Sequence, residues 1–557
     1  MRINCFIAST LLLLTTQKEL SSQVIPSDNS ILNYTHLIFD FPLVENAAYY
    51  QLSFIDINES KPFHIQIDST NVSFCNLFSY GNQYRWNYEA FDAQSQTLFK
   101  SENFAFSVVK NVNYDTFQYA ALHRGDYNTG FLTNDFSRNV MDWNGKEIWR
   151  FPKLKGSIFQ GELEVRDLRM TREGTFTCLI INSILLEFDR DGKILWIAPG
   201  SQINNQITKE NYHHDFRKLN SGNYLTLSEK EYMAPLKLSK SQFQELQGKE
   251  TIVEQNGKLF TMGNWATVIE YDKSGKEVWR WESGEYFASM VEDGWTNTDT
   301  HANAFYLDEI NDHLYLGFRH ISLLLKLDRK TKKVIHTYGD RLSKNQRVSL
   351  IGDLGLQHSI EKLSNNHLLV FNNNSIEVDS SNTSNVLFID EKDNINAEII
   401  YKFNCLIDQN DDGKAAKYGS AEELPDRKIM IGIGALGRIV LLDPTNNYEI
   451  KQDLILKYYT DKKWSTQVFY RCHYTPSLYP TYFSCKKDLE GFEIQNEGQY
   501  EDVYTIELTL EGGKTLKLSS PSIKMEEKFH YVFGNERVKS VKIQSTYNPR
   551  LIRYLGW

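Results

Sequence analysis

This chain has little that would support borrowed chemistry. Its 557 residues hold six cysteines, none of them in a CxxC pair, and there is no HExxH pair, so the usual zinc ligand sets are missing. No G-x-x-x-x-G-K-[ST] loop occurs, and no other Gly-rich turn reads as a phosphate cradle before a helix, which leaves a nucleotide without a visible binding element. No apolar run reaches the roughly 20 residues that a membrane span needs. The formal charge is −10 with the basic residues scattered, so the footprint of a nucleic-acid binder is absent. Aromatic residues make up 13 % of the chain, but most alternate within strand-like runs and are better read as core than as stacking platforms.

What the chain does have is a phrase repeated six times: an apolar run, an Asp, a tight polar turn and a second apolar run, often with Trp. It occurs around Asp142, Asp189, Asp272, Asp328, Asp390 and Asp443. Period-two alternation on both sides of a turn holding Gly, Asn or Lys predicts a β-hairpin each time. Recurrence at about fifty to sixty residues is the mark of an array of small sheets. Such sheets bury both faces only against one another, and six of them arranged radially leave a central channel. The fold class expected is therefore all-β, with a six-bladed β-propeller at its centre.

The repeats supply a frame for the unusual residues. His214 and His358 each lie five residues before a Leu that opens a polar turn, and His301 begins the same scheme with a slightly longer turn. Ser420 in GSAEELPDRKIMI takes the comparable place in the last repeat. Three histidines at one position of successive blades are expected to converge on the channel. A zinc site is one use for such a trio, but Arg319, eighteen residues after His301, brings a permanent cation whose planar fork suits a tetrahedral oxyanion. Histidines with arginine argue for an anion, and neither metal nor cofactor is expected. His213, His313, His320, His336 and His367 fall outside the frame and read as structural.

With these residues in view, the repeats, HHDF, the HAN with its later Arg, the QH before a Leu, GSAEELP and YRCHYTPSLYP together resemble the bacterial arylsulfate sulfotransferases over roughly residues 110 to 480. The resemblance implies a nucleotide-independent enzyme in which a channel histidine takes a sulfuryl group from an aryl sulfate and passes it to a phenol. It implies His358 as nucleophile and His214, His301 and Arg319 as sulfuryl-binding residues, with Asn303 and Ser420 joining them and His301 serving as acid and base. Aryl sulfates and phenols are the partners it implies, and a homodimer is compatible with the sequence. The competing reading is a propeller that only binds, as a scaffold or a carbohydrate-binding protein, since the blades alone say little about chemistry.

The ends add context. Residues 1–22 have the layout of a secretory signal peptide, an early Arg, an apolar stretch through Leu14 and then small polar residues, so a periplasmic or secreted location is expected. Residues 27–108 read as a fibronectin-III-like or immunoglobulin-like β-sandwich, 110–480 as the propeller and 481–557 as a small C-terminal β-domain. The segment from Glu229 to Leu259 reads as a polar, weakly helical insertion. Five cysteines remain beyond residue 22, of which Cys472 and Cys485 are near enough in sequence to pair. Asn33, Asn58, Asn71, Asn373 and Asn382 head N-x-[ST] sequons.

Overall fold

The computed structural model describes residues 24–556 apart from 45, 111–118, 156–163, 181–183, 202–209, 247, 249–251, 293–298, 344–345, 375–382, 393–395, 410, 461, 488–489, 535 and 550. The leader read in residues 1–22, and Asn382, lie outside the described residues. The molecule is nearly all β. Among the described residues only Lys240–Leu246 and Gly284–Glu292 form α-helices.

Each of the six repeated phrases joins two neighbouring antiparallel strands. The Asp explains why the turn is tight. In the first, its side chain accepts from the backbone N–H of Asn144 and Lys146 at 2.9 and 2.8 Å, and Asp189 and Asp272 repeat the pattern two and four residues on. A side chain that satisfies its own turn lets the flanking apolar runs pair in register.

Six sheets result, numbered here first to sixth along the chain. Their inner strands are Cys472–Thr475, Val165–Met170, Asn211–Lys218, Ala302–Asp308, Ser359–Lys362 and Ser420–Glu423. The first sheet is composite: Cys472–Thr475 comes from beyond the sixth sheet and pairs with Phe131–Asn134. Each inner strand touches the next, and the sixth touches the first.

Polar side chains stitch this circuit. Asp135 accepts from the Asp167 amide at 3.0 Å, Asp167 from that of Phe216 at 3.0 Å, and Asp215 from that of Phe305 at 3.1 Å. Asn303 donates to the Gln357 carbonyl at 2.6 Å, Ser359 accepts from the Ala421 amide at 3.2 Å, and Ser420 donates to the Cys472 carbonyl at 3.0 Å. Arg471 anchors the middle. Its guanidinium pairs with Asp215 at 2.9 Å and Asp167 at 3.2 Å and donates to the carbonyls of Asn303 and His358. One side chain from the first sheet thus reaches the second to the fifth, and it is 1 % exposed.

Residues 30–108 form a sheet ordered from Ser30–Leu32 through Phe104–Val108, Gln83–Phe91 and Tyr49–Asp56 to Lys61–Ile67, with a second, two-stranded sheet of Leu37–Asp40 and Asn71–Phe74. Phe39, Phe54, Phe78 and Trp86 fill its interior edge to face, and this core runs on without a break into those of the first two sheets. Residues 483–556 form two more small sheets with their own core.

Two expectations change. The insertion from Glu229 is mostly strand: Tyr224–Pro235 and Lys258–Tyr271 are the arms of one long hairpin, and the helix is confined to Lys240–Leu246 between them. The apolar alternation of YMAP and KLFTMGNW outweighs the helix-forming tract. Cys472 and Cys485 do not pair; all five described cysteines are free, because Cys472 points into the first sheet's core and Cys485 belongs to the C-terminal unit.

Candidate functional site

Backbone irregularity sets up the site. The ladders of the third and fourth inner strands shift register between Tyr212 and Phe216 and between Ala302 and Ala304. Within or beside these bulges His214 and His301 have positive φ, 61° and 46°, a conformation that a non-glycine residue holds only when its surroundings enforce it. A bulge re-aims a side chain that regular alternation would send elsewhere.

The result is a histidine cluster. His214 meets the edge of His301 with ring centroids 4.8 Å apart, and Tyr470 lies 6.1 Å from His214 and 6.5 Å from His358. Arg319, in a single 3₁₀ turn just past strand His313–Phe318, donates its backbone N–H to the His301 carbonyl at 2.9 Å. Its charge helps to hold down the pKa of both His301 and His358. The four residues singled out in the sequence, His214, His301, Arg319 and His358, are therefore brought together.

All the cluster histidines are neutral at pH 7. Burial lowers the pKa of His358 to about 3, with Arg319 and Arg471 adding to the effect. Burial and then the charges of His320 and Arg319 lower that of His301 to about 4. Burial comes first for His214 too, followed by the pull of His213, His301 and His358. A neutral imidazole keeps one lone pair for chemistry, and the hydrogen bond at the other nitrogen decides which.

For His358 that decision is unambiguous. Nδ1 faces two acceptors, the Asn373 side-chain oxygen at 2.6 Å and the Leu356 carbonyl at 3.2 Å, so Nδ1 carries the proton. Asn373 is itself fixed, because its amide donates to the carbonyls of Ala415 at 2.7 Å and Tyr418 at 2.9 Å. The lone pair therefore sits on Nε2.

Asn303 and Ser420 are placed differently from the expectation. Asn303 spends its N–H on Gln357 and Ser420 both donates to and accepts from the Cys472 backbone, so each serves the strand circuit. Other residues join the cluster that sequence reasoning passed over. His213 shares a 2.8 Å Nδ1 to Nδ1 hydrogen bond with His214, and His320 stacks on His301 at 4.4 Å, although both fell outside the repeat frame. Asn373, read only as a sequon, is fully buried behind His358. Arg166, at the bulge of the second inner strand, lies over the Tyr470 ring at 5.7 Å. Its position just before Asp167 in an inner strand matches that of His214 before Asp215, which was the available signal.

Ligand atoms of Asp299, His301 and His320 lie within 4.8 Å of one another. The two imidazoles are stacked 17° from parallel, so their in-plane lone pairs cannot meet at one ion, and the Arg319 charge bears on His301. These residues do not fit a metal as they stand. A cavity of about 600 Å³ lined by Tyr34, Arg190, Tyr479 and Arg553 lies at the junction with the N-terminal unit, away from the histidines.

The family model described as Arylsulfotransferase (ASST) matches residues 112–411. A comparison with curated proteins finds no match. Solved structures that are similar include a streptogramin B lyase, 8 % identical over 65 % of this chain and 99 % of the other with a TM-score of 0.32. An auxiliary nutrient binding protein from Bacteroides ovatus is 9 % identical over 84 % of this chain and 92 % of its own, also with a TM-score of 0.32.

Proposed function

This chain belongs to the arylsulfotransferase family, and from that premise we propose that it moves a sulfuryl group from an aryl sulfate to a phenol through a sulfated His358, without a nucleotide. The observation that carries the reading is the fixed tautomer of His358: Nδ1 is held by Asn373 and Leu356, and Nε2 is left as nucleophile. In the first half-reaction the Nε2 lone pair attacks sulfur, the S–N bond forms, and the S–O bond to the aryl group breaks with its electron pair leaving on the aryloxide. The resulting imidazolium keeps its Nδ1 proton on the two acceptors. In the second, the acceptor phenol gives its proton to neutral His301 while its oxygen attacks sulfur, and the S–N electron pair returns to Nε2. The aryloxide of the donor takes up the proton that the acceptor lost, so the cycle balances.

Arg319 and the N–H groups of His214 and His301 meet the peripheral sulfuryl oxygens, where charge builds in a loose transfer. The inner-strand circuit supports a six-bladed propeller, with residues 27–108 as a fibronectin-III-like sandwich and 481–557 as a C-terminal β-domain. The leader-like residues 1–22 support export to a periplasm or beyond.

The test is turnover of 4-nitrophenyl sulfate with a phenol acceptor and no nucleotide, by wild type and Arg319→Lys, each with and without chelator. Wild type should release nitrophenolate with or without chelator. Arg319→Lys keeps the charge and loses the planar fork, so it should be markedly slower while still folded. Inert wild type would return the chain to the scaffold reading, and chelator-sensitive activity would overturn the metal-free mechanism.

A further inference from the structure

Tyr470 stands at the centre of the cluster with nothing to bond. It is 1 % exposed, and its hydroxyl has no hydrogen-bond partner. Buried hydroxyls in folded proteins nearly always find one, and an orphan calls for an explanation. Its ring is enclosed by functional groups: His214 and His358 edge-on, Tyr418 at 5.7 Å, and the guanidinium groups of Arg166 and Arg471 at 5.7 and 5.1 Å.

The residue is also held firmly. Its backbone N–H donates to Asp135 at 3.0 Å, and its carbonyl accepts from the Gly419 N–H at 3.0 Å, which ties it to the strand circuit at both ends of its peptide unit. Burial keeps the phenol protonated, raising its pKa against the lowering charge of Arg471. A fixed, protonated, unpartnered donor beside the nucleophile is how an enzyme prepares for an anion before the anion arrives.

We propose that the Tyr470 hydroxyl is a catalytic donor, hydrogen-bonding a peripheral oxygen of the sulfuryl group while that group is carried by His358. The assignment rests on the functional reading above and adds to it a neutral donor from the first sheet, facing Arg319 of the fourth across the transferred group. Tyr470 then finds its missing partner only when substrate is bound.

Tyr470→Phe removes only the oxygen and separates this role from a structural one. Since the resting protein makes no bond through that hydroxyl, the variant should melt at the wild-type temperature or above it. Its kcat/KM for 4-nitrophenyl sulfate should fall about 10²-fold, as for loss of one oxyanion donor. The rise in melting temperature produced by inorganic sulfate should be smaller in the variant than in wild type. Turnover within twofold of wild type, or a lowered melting temperature, would overturn the proposal. Should wild type prove inert toward aryl sulfates, the functional reading fails by itself, and the sulfate shifts still decide: equal shifts in both proteins overturn the role of the hydroxyl, and a smaller one in the variant upholds it as an anion donor.

Discussion

At the scale of single residues the unusual feature is that the basic side chains of the site carry no charge except on arginine. Four histidines brought together in a dry place cannot all be protonated, and burial settles the matter with pKa values of about 3 for His213 and His358 and about 4 for His301. A free histidine loses its nucleophilic form below about pH 6.5. With the folded values depressed, the neutral form persists as pH falls and is lost only as pH passes down through them. The acid limb of kcat/KM for an aryl sulfate should therefore lie near pH 4, with circular dichroism confirming that the protein is still folded there. A limb near 6.5 would mean that the cluster is wetter than described. His214, His301, Arg319 and His358 were legible in the sequence because repetition gives position. Asn373 was not, because what makes it functional is a contact across a turn, which no local pattern encodes, and its sequon pointed the other way.

At the scale of elements, the hairpins were legible and the inner strands only in part. The Asp turns announce themselves because each is satisfied locally. The circuit of Asp135, Asp167, Asp215, Asn303, Ser359 and Ser420 joins strands that are far apart in sequence, so Asn303 and Ser420 were read as ligand-binding when their hydrogen bonds hold sheet to sheet. The same circuit predicts a division between stability and chemistry. Arg471 is the buried counterion of Asp167 and Asp215. Arg471→Met leaves both carboxylates uncompensated and should cost about 3–5 kcal/mol, the usual penalty for breaking a buried pair from one side. Chemical denaturation checks it as a lowered midpoint of the transition, and a midpoint equal to wild type would show that the circuit does not depend on that arginine.

At the scale of the whole molecule, strand Cys472–Thr475 returns from the far end of the chain to complete the first sheet. It also delivers Tyr470 and Arg471 to the centre, so closing the array and completing the site are one event. The leading unit packs its aromatic core onto the first two sheets, and Arg553 of the last unit pairs with Asp40 of the leading one at 2.8 Å. Sequence could indicate that such units exist, through alternation and turns, but not that they dock, since docking depends on which exposed faces match.

The central claim is that the protein itself carries the sulfuryl group between its two substrates. The direct measurement is mass spectrometry of the full chain after exposure to 4-nitrophenyl sulfate without acceptor, under conditions that preserve N-sulfation. The account predicts one sulfuryl adduct, on the peptide containing His358, discharged when a phenol is added and absent from His358→Ala. An adduct of the same size in His358→Ala, or wild-type turnover that proceeds with no adduct at any time, would contradict it.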